Sequence, residues 1–286
     1  MARPSRIDPQ KITTMRDALA RGVPLRDCVA PSVWGWIGEP WRADDLRSIE
    51  RPRAPPVRPP SQPPAENGLA MVPQNSPQGA DPAATVAGID VSGHQGNVDW
   101  QAQWNAGVRF AYVKATEGLS YTSPYLGQQY NGSYQVGMIR GAYHFALPDK
   151  SSGAEQANFF VDHGGAWSPD GRTLPGALDI EYNPYGDQCY GMSGEPMNAW
   201  IRDFVDTYHA RTGRWPMIYT TTNWWNGCAG IDLSANCPLW IARPGGSVGE
   251  LPRNWGTHTI WQHATDPIDQ NLFNGDISRL QALATG

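Results

Sequence analysis

Long apolar runs are missing from this 286-residue chain: no stretch approaches the roughly 18 apolar residues of a membrane span, so no transmembrane helix is expected. The N-terminus also lacks the apolar core, about 7–15 residues long, that marks a secretory signal peptide. Cysteine is scarce, at four, and none sits in a CxxC or Cys/His spacing suited to zinc. His94, His144 and His263 share no ligand spacing either, so neither a metal nor another cofactor is expected. No Gly-x-Gly-x-x-Gly or phosphate loop follows the first apolar strand pattern, which argues against a nucleotide fold. Charged residues make up only 17% of the chain, and the net charge is −5. That charge is uneven: the first 60 residues carry 11 Lys+Arg against 7 Asp+Glu, and the remainder 11 against 20. An acidic main body argues against nucleic acid as its principal partner.

What is present divides the chain in two. Of 26 prolines, 15 precede Gly88, whereas 10 of the 13 tryptophans follow it. Residues 1–86 therefore read as a Pro/Arg-rich leader and linker, largely disordered, with one short helix expected over 8–21 between the Asp8–Pro9 start and the Gly22 stop. The run RPRAPPVRPPSQPP (51–64) should be extended and solvated. Residues 87–286 are expected to form the folded unit. Cys189, Cys228 and Cys237 all fall there, which leaves one disulfide and an odd thiol, and disulfides point to an oxidising compartment.

From Gly88 onward, short β-branched and aromatic runs recur at 87–92, 109–116, 139–146, 175–181, 216–221, 239–242 and 259–264. Helical patterns lie between several of them, notably 151–164 and 194–213, the latter with Trp200, Phe204, Val205 and Tyr208 at helical spacing. This alternation predicts an α/β fold with a parallel sheet, an irregular TIM-like (β/α) barrel. The later connections are too short for full helices, so its second half should have fewer of them.

Within GALDIEYNPYG (176–186), Asp179 and Glu181 lie two apart in an apolar strand and should project to one side, with Leu178 and Ile180 opposite. At the C-terminal end of a barrel strand that side faces an active-site mouth. Two close carboxylates in a dry cleft cannot both ionise freely, and the drier one becomes a general acid; glycosidic cleavage needs such a pair. Pairing with arginines or binding a cation is the plainer use of the same two acids. Asp90 ends the first strand and Asp269 lies in the last strand region; first and last barrel strands are neighbours, so these acids should converge on the same mouth. Lys114 and Glu117 read as an ion pair there. Of Tyr143 and His144, alternation turns one inward, and Trp224, Trp225 and Trp261 are suited to stacking on sugars or to plain packing.

Seven ordered stretches, GIDVSGHQGNVDW, AYVKATEG, IRGAYHFALP, RTLPGALDIE, IYTTTNWW, LWIAR and WQHATDPIDQNLFNG, closely resemble the glycoside hydrolase family 25 lysozymes, the Chalaropsis-type muramidases, especially actinobacterial secreted members. The resemblance runs from about residue 88 to 283. It implies an irregular barrel that hydrolyses the β-1,4 bond between N-acetylmuramic acid and N-acetylglucosamine, with peptidoglycan strands as partner and no cofactor. It also implies Glu181 as catalytic acid and Asp179 as the group that orients the substrate's acetamido group or stabilises developing positive charge. Asp90 and Asp269 take the remaining acid positions of the site, Tyr143 and Trp261 bind substrate, and Cys189 pairs with Cys228 while Cys237 stays free. A monomer acting outside the cell or at the wall is expected; a phage endolysin released from the cytoplasm is the alternative location. A wall-binding module without activity is the alternative function, disfavoured because all four acids are present. Two departures stand out: His94 lies where the family commonly has tryptophan, and Pro244 follows Arg243 where an aromatic is usual.

Overall fold

A computed structural model describes residues 84–286; the helix expected over 8–21 and the tryptophans at 34, 36 and 41 lie outside the described residues. Nine strands form one sheet: β1 (Thr85–Val91), β2 (Phe110–Glu117), β3 (Tyr121–Thr122), β4 (Ile139–Phe145), β5 (Ala177–Asp179), β6 (Met217–Thr220), β7 (Leu239–Ala242), β8 (Ile260–Ala264) and β9 (Asp269–Asn274). Their order is β1-β9-β8-β7-β6-β5-β4-β2-β3, and β1 also pairs with β2, which closes eight of them into a barrel with the two-residue β3 hung on β2. The α-helices among the described residues are α1 (Trp100–Asn105), α2 (Leu126–Gln135), α3 (Gly153–Phe160), α4 (Glu195–Thr212), α5 (Thr222–Cys228) and α6 (Ile277–Thr285). No helix joins β7 to β8 or β8 to β9, so the second half is the sparser one.

The last strand departs from the expected parallel pattern. β9 runs antiparallel to both β8 and β1. A parallel crossover needs about a dozen residues or more, and the connection here is only residues 265–268, so a hairpin is the one solution available.

Alternation along each strand separates two apolar layers. Inward residues such as Phe110, Tyr112, Ile139, Tyr143, Met217, Trp240, Ile260 and Phe273 fill the barrel. Outward ones, including Leu178, Ile180, Ile218 and Ile241, pack under the helices. Large aromatics fit inside because facing positions lack side chains: a Cβ at Gly88 would lie 2.3 Å from the Phe110 ring, and one at Gly141 would lie 2.5 Å from that of Tyr112.

Helix α4 forms because Met197, Trp200, Ile201, Phe204, Val205 and Tyr208 recur every three or four residues and give one buried face. Gly213, at φ 73°, ends it in the left-handed conformation that suits glycine. α3 starts with a capping box between Ser152 and Glu155 and packs its first residue, Gly153, against the α4 backbone, where a Cβ would meet the Trp200 carbonyl at 2.3 Å. The Tyr208 hydroxyl accepts from the Gly176 N–H (2.8 Å) and donates to the Gly165 carbonyl (2.9 Å), which ties this helix to the residue that leads into β5. His144, the outward partner of Tyr143, is buried between Thr116 and Gln156, and that burial lowers it to about 4, so it is a neutral packing residue.

Cys189 and Cys228 form the disulfide, with Cα atoms 5.4 Å apart and a sequence separation of 39, while Cys237 is free and buried. The bridge anchors the loop after β5 to the end of α5. Closing a loop of that length restricts the unfolded chain by an amount worth about 4 kcal/mol at most. Replacing both cysteines by serine should therefore lower stability by roughly 2–4 kcal/mol in urea unfolding. An unchanged unfolding midpoint would refute that anchoring role.

Candidate active site

A cleft of about 290 Å³ opens at the C-terminal ends of the barrel strands. Asp90, Tyr143, Asp179, Glu181 and Asp269 all line it, together with Lys114, Phe145, Tyr219, Trp240 and Gln262. Each acid arrives by a separate local rule. Asp179 is the last residue of β5, level with Phe145 on β4 and Tyr219 on β6. The ladder continues one residue further, where the Ile180 N–H donates to the Tyr219 carbonyl (3.0 Å), so Ile180 turns out into the helical layer and Glu181 turns back to the mouth. Asp90 faces Asp269 directly in the antiparallel β1–β9 register. Because β9 is reversed, its first residue, not its last, sits at the mouth, and this is what brings Asp269 to the other acids.

Asp90 is the best supported of the four. The side-chain amides of Gln262 (2.9 Å) and Asn271 (2.7 Å) both donate to its Oδ2. Both amides are held in turn, Gln262 by the Tyr219 hydroxyl (3.0 Å) and Asn271 by the Trp240 indole N–H (2.8 Å). Asp179 is different: its Oδ1 is buried and has no hydrogen-bond partner among the described residues. An acceptor oxygen kept out of water and left unused is costly unless another molecule completes it.

The electrostatics follow from crowding acids into a dry space. Burial, then the adjacent Asp269, raises Asp90 to about 7 despite its two amide donors. Burial and Asp269 likewise raise Glu181 to about 7, with Lys114 pulling the other way. Asp179 is held well above the ordinary carboxylate range by burial and by Glu181. Asp269 is raised too, by burial, with His94 opposing. The cluster thus keeps protons at neutral pH that isolated carboxyls would have lost. Lys114 bridges to Glu117 (2.5 Å), the ion pair expected from VKATEG, and Tyr185 donates to the other oxygen of Glu117 (2.6 Å).

The cleft floor is aromatic. Trp240 lies edge-on to Tyr219 (4.8 Å between ring centres) and to Tyr143 (6.4 Å). Among the described residues, no group of three or more His, Cys, Asp or Glu side chains is arranged to hold a metal ion.

The family model for glycosyl hydrolases family 25 matches residues 89–272. The chain belongs to glycosyl hydrolase family 25. Lysozyme M1 of Streptomyces globisporus is 45% identical to this family 25 hydrolase over 229 residues, which cover 77% of this chain and 78% of that protein. The N,O-diacetylmuramidase of Chalaropsis sp is 45% identical over 212 residues, covering 71% and 100%. The solved muramidase from Acremonium alcalophilum matches with a TM-score of 0.69 at 54% identity, covering 70% of this chain and 99% of that one. The family 25 hydrolase is accordingly a glycoside hydrolase of the lysozyme, or muramidase, class.

Not every residue expected at the site lines the cleft of this family 25 hydrolase. Trp261 is partly buried beside the outer core, and its indole N–H donates to the Arg243 carbonyl (2.8 Å). Trp224 and Trp225 are fully buried under the helices and offer no face to a sugar. Conversely, Tyr219, Trp240, Gln262 and Asn271 went unremarked in the sequence. Their one local signal is parity: each stands on the inward side of its strand, and Gln262 and Asn271 are polar where packing alone would place an apolar residue.

Proposed function

We propose that this family 25 hydrolase cleaves the β-1,4 bond between N-acetylmuramic acid and N-acetylglucosamine in peptidoglycan. The observation that carries this reading is the meeting of Asp90, Asp179, Glu181 and Asp269 around one cleft, with Glu181 raised to about 7. A carboxyl that holds its proton near neutrality can protonate the leaving oxygen as the bond breaks. Glu181 takes that part. Asp179, with one oxygen unpartnered, accepts from the substrate's acetamido N–H and so turns the acetamido oxygen toward the anomeric carbon, where positive charge develops. Asp269 helps keep Glu181 protonated, and Asp90, held opposite it by Gln262 and Asn271, offers the developing charge a carboxyl oxygen. Tyr143 closes the floor beside Trp240, and Trp261 holds the rim through Arg243.

In this reading the catalytic unit, expected over 87–286, takes in the whole of β1 from Thr85, the residues before it are a separate leader, and the enzyme works as a monomer. Its place of action is the cell wall, outside the cytoplasm, which agrees with its disulfide. Among the described residues, no helix is long and apolar enough to cross a membrane.

The test is the identity of the new chain end. Purified peptidoglycan is digested, reduced with borohydride and hydrolysed with acid. Reduced muramic acid is the expected product. Reduced glucosamine in its place would assign the other glycosidic bond, and neither product would remove the hydrolase reading.

A further inference from the structure

A second cavity, of about 410 Å³, is lined by Thr221, Thr222, Asn223, Ala242, Arg243 and Glu250. It is joined to the acid-lined cleft by the strands themselves. Tyr219 and Trp240 line the cleft, and Thr221 and Ala242 follow each of them by two residues. Thr221 keeps extended backbone angles (φ −104°, ψ 151°), and Ala242 is still in β7, so each points the same way as the cleft residue beneath it, about 6–7 Å further out. The second cavity is therefore an outer storey of the same mouth, above β6 and β7.

Its polar groups are arranged for an anion. Arg243 is exposed, and its guanidinium makes no hydrogen bond or ion pair among the described residues; Glu250, the acid in the same wall, does not pair with it. The Asn223 side-chain amide is likewise unpartnered among the described residues. The arginine is nonetheless held in place. Its N–H donates to the Gln262 carbonyl (3.1 Å) and its carbonyl accepts from Trp261 (2.8 Å), which fixes its backbone to β8. Its guanidinium lies against Gly249, where a Cβ would come within 2.3 Å of the Arg243 Cζ. Across the wall, the Thr222 hydroxyl donates to the Glu250 carbonyl (2.7 Å), which pins the 245–250 loop to α5.

We propose that this outer cavity is a stem-peptide subsite, in which Arg243, with Asn223 beside it, binds a carboxylate of the peptide carried by the substrate's muramic acid. The proposal rests on the muramidase reading of the neighbouring cleft. A planar guanidinium with free donors recognises a carboxylate through two parallel hydrogen bonds. In intact peptidoglycan the lactyl carboxyl is consumed in the amide to the peptide, so the carboxylate in reach of a cavity above the cleft belongs to the stem.

The experiment uses the full chain and two soluble glycan substrates, one with free stem carboxylates and one with those groups converted to amides. The native enzyme should show a KM about tenfold lower on the free-carboxylate substrate, at similar kcat. Arg243→Met should erase that preference by raising KM on the first substrate alone, and Arg243→Lys should restore part of it. If Arg243→Met retains the preference, or slows both substrates equally, the subsite is refuted. A native enzyme that releases no reducing ends from either substrate would refute the muramidase reading instead.

Discussion

Glu181→Gln lowers kcat on peptidoglycan by about 10³-fold or more, and the same variant is more stable than the native enzyme at pH 7. Both results come from one cause. The glutamine is nearly isosteric and still fits the mouth beside Asp179, but it has no proton to give the leaving oxygen, and general acid catalysis alone is worth about 10²–10⁴-fold. The stability gain follows from the raised carboxyl. Burial and Asp269 make the folded state hold the Glu181 proton up to about 7, against the ordinary 4.5. The Glu181 contribution to stability is thus complete below pH 4.5 and is lost as pH climbs from there through about 7, because the folded carboxyl resists an ionisation that the unfolded chain accepts. Glutamine is exempt from that loss, so the variant should gain about 1–3 kcal/mol at pH 7 and nothing at pH 4. Urea unfolding at both pH values, together with release of reducing ends, measures the two effects. The same ionisation should make kcat/KM of the native enzyme fall above about pH 7. A folded variant with near-native turnover would remove Glu181 from the mechanism.

Asp179→Asn produces the second large loss, about 10²–10³-fold in kcat with KM changed less than about threefold. The buried, unpartnered Oδ1 of Asp179 is held ready for a group that becomes most demanding in the transition state, and an amide can present its NH2 there in place of the acceptor oxygen. The near-ultraviolet circular dichroism of the variant should match that of the native protein, since Phe145 and Tyr219, level with residue 179, keep their places in the ladder. Turnover within threefold of native from a correctly folded variant would assign Asp179 a packing role only.

How far the fold could be read from the chain depends on how local each feature is. The strand at 239–242 and the helix that fills 195–212 carry their own patterns, apolar in one case and amphipathic in the other, and both lie where those patterns put them. The inward turn of Glu181 needed only the two-residue period of a strand. The reversal of β9 was also within reach, since residues 265–268 are too few for a crossover, but the parallel expectation concealed it. What no local pattern carries is the cradle of Asp90: Gln262 and Asn271 stand 172 and 181 residues away and meet it only once the barrel has closed. Tryptophan was ambiguous for the opposite reason. Its area suits sugar and core equally, and only the helical layer over Trp224 and Trp225 decides between them.

The reversed β9 also decides where the polypeptide leaves the barrel. It carries the backbone from the catalytic rim to the opposite pole, where Leu280 and Ala284 of α6 plug the base against Val86, Phe110 and Ile260. An affinity tag or fluorescent reporter appended after Gly286 would therefore project from the far side, leaving the approach of a wall polymer unobstructed.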